Sequence, residues 1–267
     1  MKNKFLTALI CSACCLSTYA KNQDEYRFYL GAEGTYAVSL NANINVSSIP
    51  SASGAYFNSS DYNSNKLKQT FGYGLLAGYN LSDIFALELA YNNRPSFKYE
   101  KPPVINSTQH TRYFDLQNQT TILNGVIHLA PIFAVLKAFK DCSNIEPFIN
   151  LGAGFARNTI TNSHTVGSNN ASSYYRGASY SQMIDKTVYK LAAQAGLGLN
   201  YNLNARWQAK AGYRFIYGGK FTSQDYILDN PDYIEGVGTA NTGNSIAPWE
   251  GTLKANEVYL GLTYLLQ

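Results

Sequence analysis

The chain has 267 residues, 21 of them basic and 17 acidic, which leaves a net charge of +4 with the histidines neutral. So small an excess of positive charge excludes a nucleic-acid footprint. The four cysteines, with Cys11, Cys14 and Cys15 crowded at the N-terminus, exclude a disulfide framework.

Residues 1–20 have the form of a secretory signal peptide. Lys2 and Lys4 give a positive start, and Phe5–Leu16 is an apolar run too short to span a bilayer as a helix. Thr18-Tyr19-Ala20 puts a small residue at the junction, so the mature domain is expected over 21–267. Two readings carry less weight: a buried N-terminal helix, and lipidation at Cys14, which lacks the aliphatic residue expected upstream. Cleavage removes two lysines and no acid, so the net charge falls from +4 to +2. It also leaves Cys142 as the remaining thiol, which cannot close a disulfide within the chain or build a structural zinc site. No cofactor and no metal are expected.

Alternation with a period of two governs the mature chain. The first strand is expected over Tyr26–Val38, with Phe28, Leu30, Ala32 and Tyr36 opposite Tyr29, Gly31, Glu33 and Thr35. A long Asn/Ser-rich stretch leads to a second strand over Gln69–Tyr79. The short turn Asn80–Asp83 leads to a third over Ile84–Asn93. After a polar stretch, a fourth is expected over Leu116–Leu129, where Ile122 and Val126 break the polar face. Pro131–Lys140 has apolar residues at helical spacing and suggests a short interfacial helix, with an extended strand as the alternative. A fifth strand follows over Glu146–Arg157, and the sixth and seventh over Lys186–Tyr201 and Arg206–Lys220 meet at the tight turn Asn202–Ala205. The eighth covers Leu253–Leu266.

No later window holds eighteen consecutive apolar residues, so no transmembrane helix follows. The strands are apolar on one face with aromatics at the ends and polar on the other, as in a membrane-spanning barrel. Lipid offers no hydrogen bonds, so every strand edge must be paired and the sheet must close. The expected fold is an all-β transmembrane antiparallel up-and-down β-barrel of eight strands, with ten as the alternative. Short turns alternate with long connections, which places the loops outside the cell and both termini in the periplasm. The expected location is the bacterial outer membrane, and the expected state is a monomer.

The signal, the eight-strand rhythm, Pro147–Phe155 and the last strand, Tyr259–Leu266, together resemble the OmpA-like small outer-membrane β-barrel family, including opacity-type surface proteins and adhesins. The resemblance covers the whole mature chain. It implies outer-membrane lipid as surroundings and the barrel assembly machinery as a partner during biogenesis, although the chain ends on Gln267 rather than on an aromatic. With no domain expected after Gln267, the peptidoglycan binding of larger members is not carried over.

The inward face gathers Glu33, Glu88, Lys190, Lys210, Arg214 and Glu257, expected as a cross-strand charge network. Such a set plugs an eight-stranded barrel by mutual pairing; the alternative is a charged eyelet that selects ions. His110 and His164 are expected in external loops and His128 near the periplasmic end of the fourth strand. None has a Ser or acid at triad-like spacing, so an enzyme is not expected. Gly152-Ala153-Gly154 and Gly196-Leu197-Gly198 open no helix and complete no nucleotide fingerprint. The loops are rich in Tyr, Ser, Asn and Gly, a composition of adaptable binding surfaces, and Tyr56, Tyr174, Tyr175, Tyr226 and Tyr233 are the candidates for a host or matrix ligand. The expected role is a non-enzymatic surface protein, structural and adhesive through its loops, with a narrow porin as the alternative. N-terminal sequencing of the membrane form is predicted to begin at Lys21; a lipid-modified Cys14 or Cys15 at the N-terminus would contradict this.

Overall fold

The computed structural model describes residues 27–46, 67–101, 110–133, 144–167, 179–180, 182–223, 227–229 and 248–266. Eight long strands dominate: β1 (Phe28–Ser39), β2 (Thr70–Asn80), β3 (Phe85–Lys101), β4 (His110–His128), β5 (Ile145–Gly167), β6 (Lys186–Asn202), β7 (Trp207–Thr222) and β8 (Trp249–Leu266). Each pairs antiparallel with the next, and β8 returns to pair with β1. The sheet therefore closes with eight strands, not ten. The other partners on it are two-residue segments, Asn45–Val46 beside β8 and Ser179–Tyr180 beside β5. Following cross-strand pairs once around from Phe28 leads to Val38, ten residues further along β1. That stagger inclines the strands to the barrel axis and sets the lumen's width.

The outer face is apolar because lipid, not water, surrounds it. Leu75, Leu151, Leu197 and Leu260 project outward around the wall, and Tyr213 is outward as well. Aromatic pairs bracket this belt. Phe28 meets Tyr79 at 4.7 Å and Trp207 meets Tyr264 at 5.0 Å near the short turns, while Tyr36 meets Phe71 at 5.0 Å near the other end. Such rings suit the interfaces, where an apolar body and a polar tip are both satisfied.

The inner face is tightly filled. A Cβ on Gly78 would lie 2.0 Å from the Tyr29 ring, and one on Gly212 would lie 2.4 Å from the Tyr259 hydroxyl. Glycine at these positions makes room for a ring on the next strand. Ile122 and Val126, which interrupt the polar face of β4, do point inward and are buried.

Strands β3, β4, β5 and β8 run further toward the long connections than the expected strands did. On β3 the inward residues are Ala86, Glu88, Ala90, Asn92 and Arg94; the register then shifts between Arg94 and Phe97. Beyond the shift Phe97 and Tyr99 are inward, while Lys98 and Glu100 are exposed. β7 shifts likewise between Tyr217 and Gly219, where Gly219 takes φ 76° and Phe221 turns inward. β5 contains Asn162 at φ 54° near the shift opposite Tyr113 and Asp115. Bulges of this kind re-aim side chains. Above them the pattern is inverted: polar outside, apolar inside. Phe97, Tyr99, Phe114, Leu116, Phe221, Trp249 and Leu253 form a buried cluster there, with Tyr99 stacked on Phe114 at 4.6 Å.

This inversion corrects two placements. His110 opens β4, and His164 lies within β5, stacked on Tyr113 at 5.2 Å, so neither is in a loop. The expected helix at Pro131–Lys140 is represented by a single turn, α1 (Ala130–Phe133); its remainder, 134–140, lies outside the described residues, as do Cys142 and residues 1–20.

The belt predicts a depth-dependent cost. Leu197→Arg at mid-strand should destabilise the barrel by about 2–4 kcal/mol, and Tyr189→Arg at the girdle by roughly 0–1 kcal/mol. Urea unfolding in lipid vesicles reads both values, and equal costs would show that the belt is misplaced.

Candidate functional site

The lumen is the place where this chain concentrates buried charge. Alternation on β1, β3, β7 and β8 points Glu33, Glu88, Lys210, Arg214 and Glu257 inward, and all five are buried. Arg94, at the bulge that ends the membrane pattern of β3, joins them and is fully buried. Three acids thus meet three bases.

The central layer is built on Glu257. Arg94 donates from Nε to Glu257 Oε2 at 2.6 Å and from Nη2 to Oε1 at 3.2 Å, a two-point fork. Arg214 donates from Nε to Glu257 Oε1 at 2.5 Å and from Nη2 to Asn92 Oδ1 at 2.9 Å. The same Arg214 Nη2 lies 2.5 Å from Glu33 Oε1. The Arg214 guanidinium also covers the Tyr259 ring at 4.7 Å. Arg94 Nη1 donates to Asn118 Oδ1 at 3.0 Å and to Thr120 Oγ1 at 3.1 Å.

From there a chain of amides crosses the lumen. Asn118 donates to Asn158 at 2.7 Å, and Asn158 donates to the carbonyls of Gly218 and Lys220 at 2.8 and 3.1 Å. Those carbonyls belong to the part of β7 beyond its last pair with β6, Tyr217↔Ala193. The Asn158 side chain therefore replaces a partner that the sheet has ceased to supply.

A second charged layer lies toward the short turns. Lys210 donates to Glu88 Oε2 at 2.7 Å and sits over the Phe148 ring at 5.0 Å. The same carboxylate accepts from Tyr29 and from Asn124, each at 3.4 Å, and Asn124 accepts from Gln194 at 2.8 Å. This layer floors a cavity of about 110 Å³ that opens between the short turns and is lined also by Arg27, His128, Glu146 and Gln208.

One predicted member stands apart. Lys190 is exposed and takes part in none of the ion pairs found among the described residues. The ladder of β6 with β7 stops at Ala193, although β7 still lies against Lys190, where a Cβ on Gly219 would come 2.7 Å from the Lys190 Cβ, and the Lys190 side chain is exposed. Arg94, which sequence reasoning missed, takes the third basic position. Its signal was present: it continues the even-numbered inward set of β3 one step past the expected end at Asn93. Among the described residues, no group of three or more His, Cys, Asp or Glu is placed to hold a metal. Tyr56, Tyr174, Tyr175, Tyr226 and Tyr233, the loop candidates, lie outside the described residues.

The geometry predicts unequal costs for two basic residues. Arg94→Ala leaves Glu257 buried with half its partners and should cost about 3–5 kcal/mol. Lys190→Ala, exposed and outside every ion pair described, should cost within about 0.5 kcal/mol. Unfolding in denaturant measures both; similar values would show that Arg94 is not part of the network.

The fold agrees with comparisons against known proteins. The family model of the outer membrane protein beta-barrel domain matches residues 6–264. None of the curated proteins is similar in sequence. Among solved structures, neisserial surface protein A (NspA) is similar with 13% identity over 90% of this chain and 97% of its own, at a TM-score of 0.47. OprG of Pseudomonas aeruginosa is similar with 12% identity over 91% and 97%, at 0.49. Ail, the attachment invasion locus protein of Yersinia pestis, is similar with 10% identity over 91% and 99%, at 0.40. With the closed eight-strand barrel, the lipid-facing belt and the family match over nearly its whole length, the chain belongs to the outer membrane protein beta-barrel domain family and is a protein of the bacterial outer membrane.

Proposed function

We propose that this protein is a closed, non-enzymatic surface barrel whose role is carried by its long external connections. The observation behind this reading is the occupied lumen. The Lys210–Glu88 layer, the Arg94–Glu257–Arg214–Glu33 layer and the aromatic cluster around Tyr99, Phe114 and Trp249 succeed one another along the axis. An eight-stranded barrel is just wide enough for side chains to fill. A conducting eyelet needs charge of one sign, or charge left free for a passing ion. In these two layers three acids and three bases are bonded to each other.

The same architecture favours display. The strands continue past the lipid belt with a soluble-type interior, which lifts the long connections clear of the membrane surface. Those connections are rich in Tyr, Asn, Ser and Gly, as in Tyr56–Asn65 and Tyr226–Asn244. Tyrosine gives contact area at low entropic cost, and the small polar residues adapt their hydrogen bonds. In this reading the long connections face outward, the termini face the periplasm, and adhesion to a host or matrix ligand is the display role.

Two measurements on one preparation test the reading. Planar-bilayer recordings of the folded protein are expected to show no sustained single-channel conductance. Shortening Tyr226–Asn244 is expected to leave the barrel folded and to lower attachment of expressing cells to host cells or matrix. Steady conductance would replace the closed reading with a porin. Attachment that survives trimming of all the long connections would remove the adhesive role.

A further inference from the structure

The cavity between the short turns carries a polar surface that the protein's own contacts leave unused. Alternation on β6, β7 and β8 turns Asn200, Gln208, Lys210 and Thr263 inward, and all four line it. The register makes them one patch: Lys210 pairs with Asn200, and Gln208 pairs with Thr263. The four residues are 7%, 6%, 7% and 4% exposed, so bulk solvent hardly reaches them. Even so, Asn200 and Thr263 make no side-chain hydrogen bond among the described residues. Gln208 donates to Asn202 Oδ1 at 2.7 Å, and its own carbonyl oxygen accepts from none of the described residues. Lys210 uses one of its three N–H groups on Glu88, at 2.7 Å.

Buried polar groups are nearly always bonded, because leaving one without a partner is costly. A patch of such groups on three adjacent strands implies an occupant. One water needs roughly 10–15 Å³ of such space, and the cavity offers about 110 Å³. The rest of its wall includes Val126, Phe148 and Leu265, which are apolar and buried. An occupant therefore meets hydrogen-bonding groups on one side and carbon on another. The charges restrict its class further. Lys210 and Glu88 compensate each other at the floor, so a ligand of either sign would bring a further charge to a buried place. Glu146 is held on the side wall by Asn202 at 2.8 Å. At the mouth Arg27 and Asp83 are both exposed and opposite in sign, so entry favours neither cation nor anion.

We propose that this cavity is a binding site for a small uncharged polyol, with Asn200, Gln208, Lys210 and Thr263 as its hydrogen-bonding wall. A hydroxyl both donates and accepts, which suits this set. The N–H groups of Lys210 and Asn200 donate to ligand hydroxyls, the Gln208 carbonyl accepts from one, and the Thr263 hydroxyl does either. The carbon skeleton lies against Val126, Phe148 and Leu265. Such a ligand satisfies the buried groups without adding charge beside the Lys210–Glu88 pair. That pair floors the cavity, so the polyol is held and not passed onward. The site is separate from the proposed display role; with the long connections outward, it faces the periplasm.

Polyols stabilise any folded protein by exclusion from its surface, so a melting temperature does not isolate the site. Methyl NMR of the full mature chain in detergent micelles does, with glycerol and erythritol as probes. The Val126 and Leu265 methyl signals are expected to shift along a saturable curve and to show NOEs to the polyol protons. Leu197 and Leu260, on the outer face, should stay unmoved. The double variant Asn200→Leu, Thr263→Val removes polar groups without described protein partners, and it should lose the saturable shift. Glycerate and serinol, the anionic and cationic analogues of glycerol, are expected to bind at least about tenfold more weakly, since each brings a charge into the buried site. Shifts that grow linearly with concentration, without NOEs in the wild type, would mean that the cavity holds water only and would overturn the proposal. A saturable shift that survives in the double variant would overturn it as well. Tighter binding of serinol or glycerate would overturn the uncharged class in favour of a ligand read by Glu146 or Lys210.

Discussion

A backbone in lipid has no water to bond with, and this constraint organises the whole molecule. Every N–H and C=O in the membrane must find a partner in the sheet, so the strands close into a ring. Closure at eight strands leaves a lumen of side-chain width, which must then be filled with groups that satisfy one another. The charges inside are thus a consequence of closure. Glu257 receives two guanidinium groups, Arg214 divides itself between two acids, and Glu88 takes Lys210. Each pair is tolerable because its partners remain in place.

The second organising fact is the change of surroundings along the axis. In the belt, lipid rewards apolar residues outside and the narrow lumen accepts polar ones. Beyond the bulges at Arg94/Phe97 and Tyr217/Gly219, the outside meets water and the ordinary hydrophobic effect returns. The same strands then bury Phe97, Tyr99 and Phe221 inside and expose Lys98, Glu100 and Lys220. One continuous sheet holds a membrane barrel below and a soluble-type core above, with the register shifts as the joint. Asn158, bonded to the Gly218 and Lys220 carbonyls, closes the gap that the joint opens in the ladder.

This joint also explains what was legible in the sequence. Strands β1, β2, β6 and β7 were readable to within two residues, because Leu/Tyr alternation against Gly, Gln and Lys has a single interpretation in lipid. The upper parts of β3, β4 and β5 read as loops in the sequence. Their alternation is as regular, as in Phe97-Lys98-Tyr99-Glu100, but it begins on the opposite parity after a bulge, and a period-two reading loses phase there. Five of the six residues expected in the lumen are inside it. Lys190 has the right parity and pairs with buried Ala156, yet the regular ladder with β7 has stopped at that height, and the pattern of one strand does not report where its pairing with the next one ends. Arg94 was hidden for the converse reason: it is the last inward residue before the phase change, next to Pro95, where a strand is expected to end.

The central claim is that the barrel interior is held by mutual charge compensation rather than by a set of independent polar fillers. A double-mutant cycle on Arg94→Ala and Glu257→Ala, measured by reversible unfolding in lipid vesicles, tests it most directly. Compensation predicts that the double variant is less damaged than the sum of the singles, with a coupling of about 1–3 kcal/mol. Additive losses, with coupling below about 0.5 kcal/mol, would mean that the two residues do not sustain each other and would contradict the account.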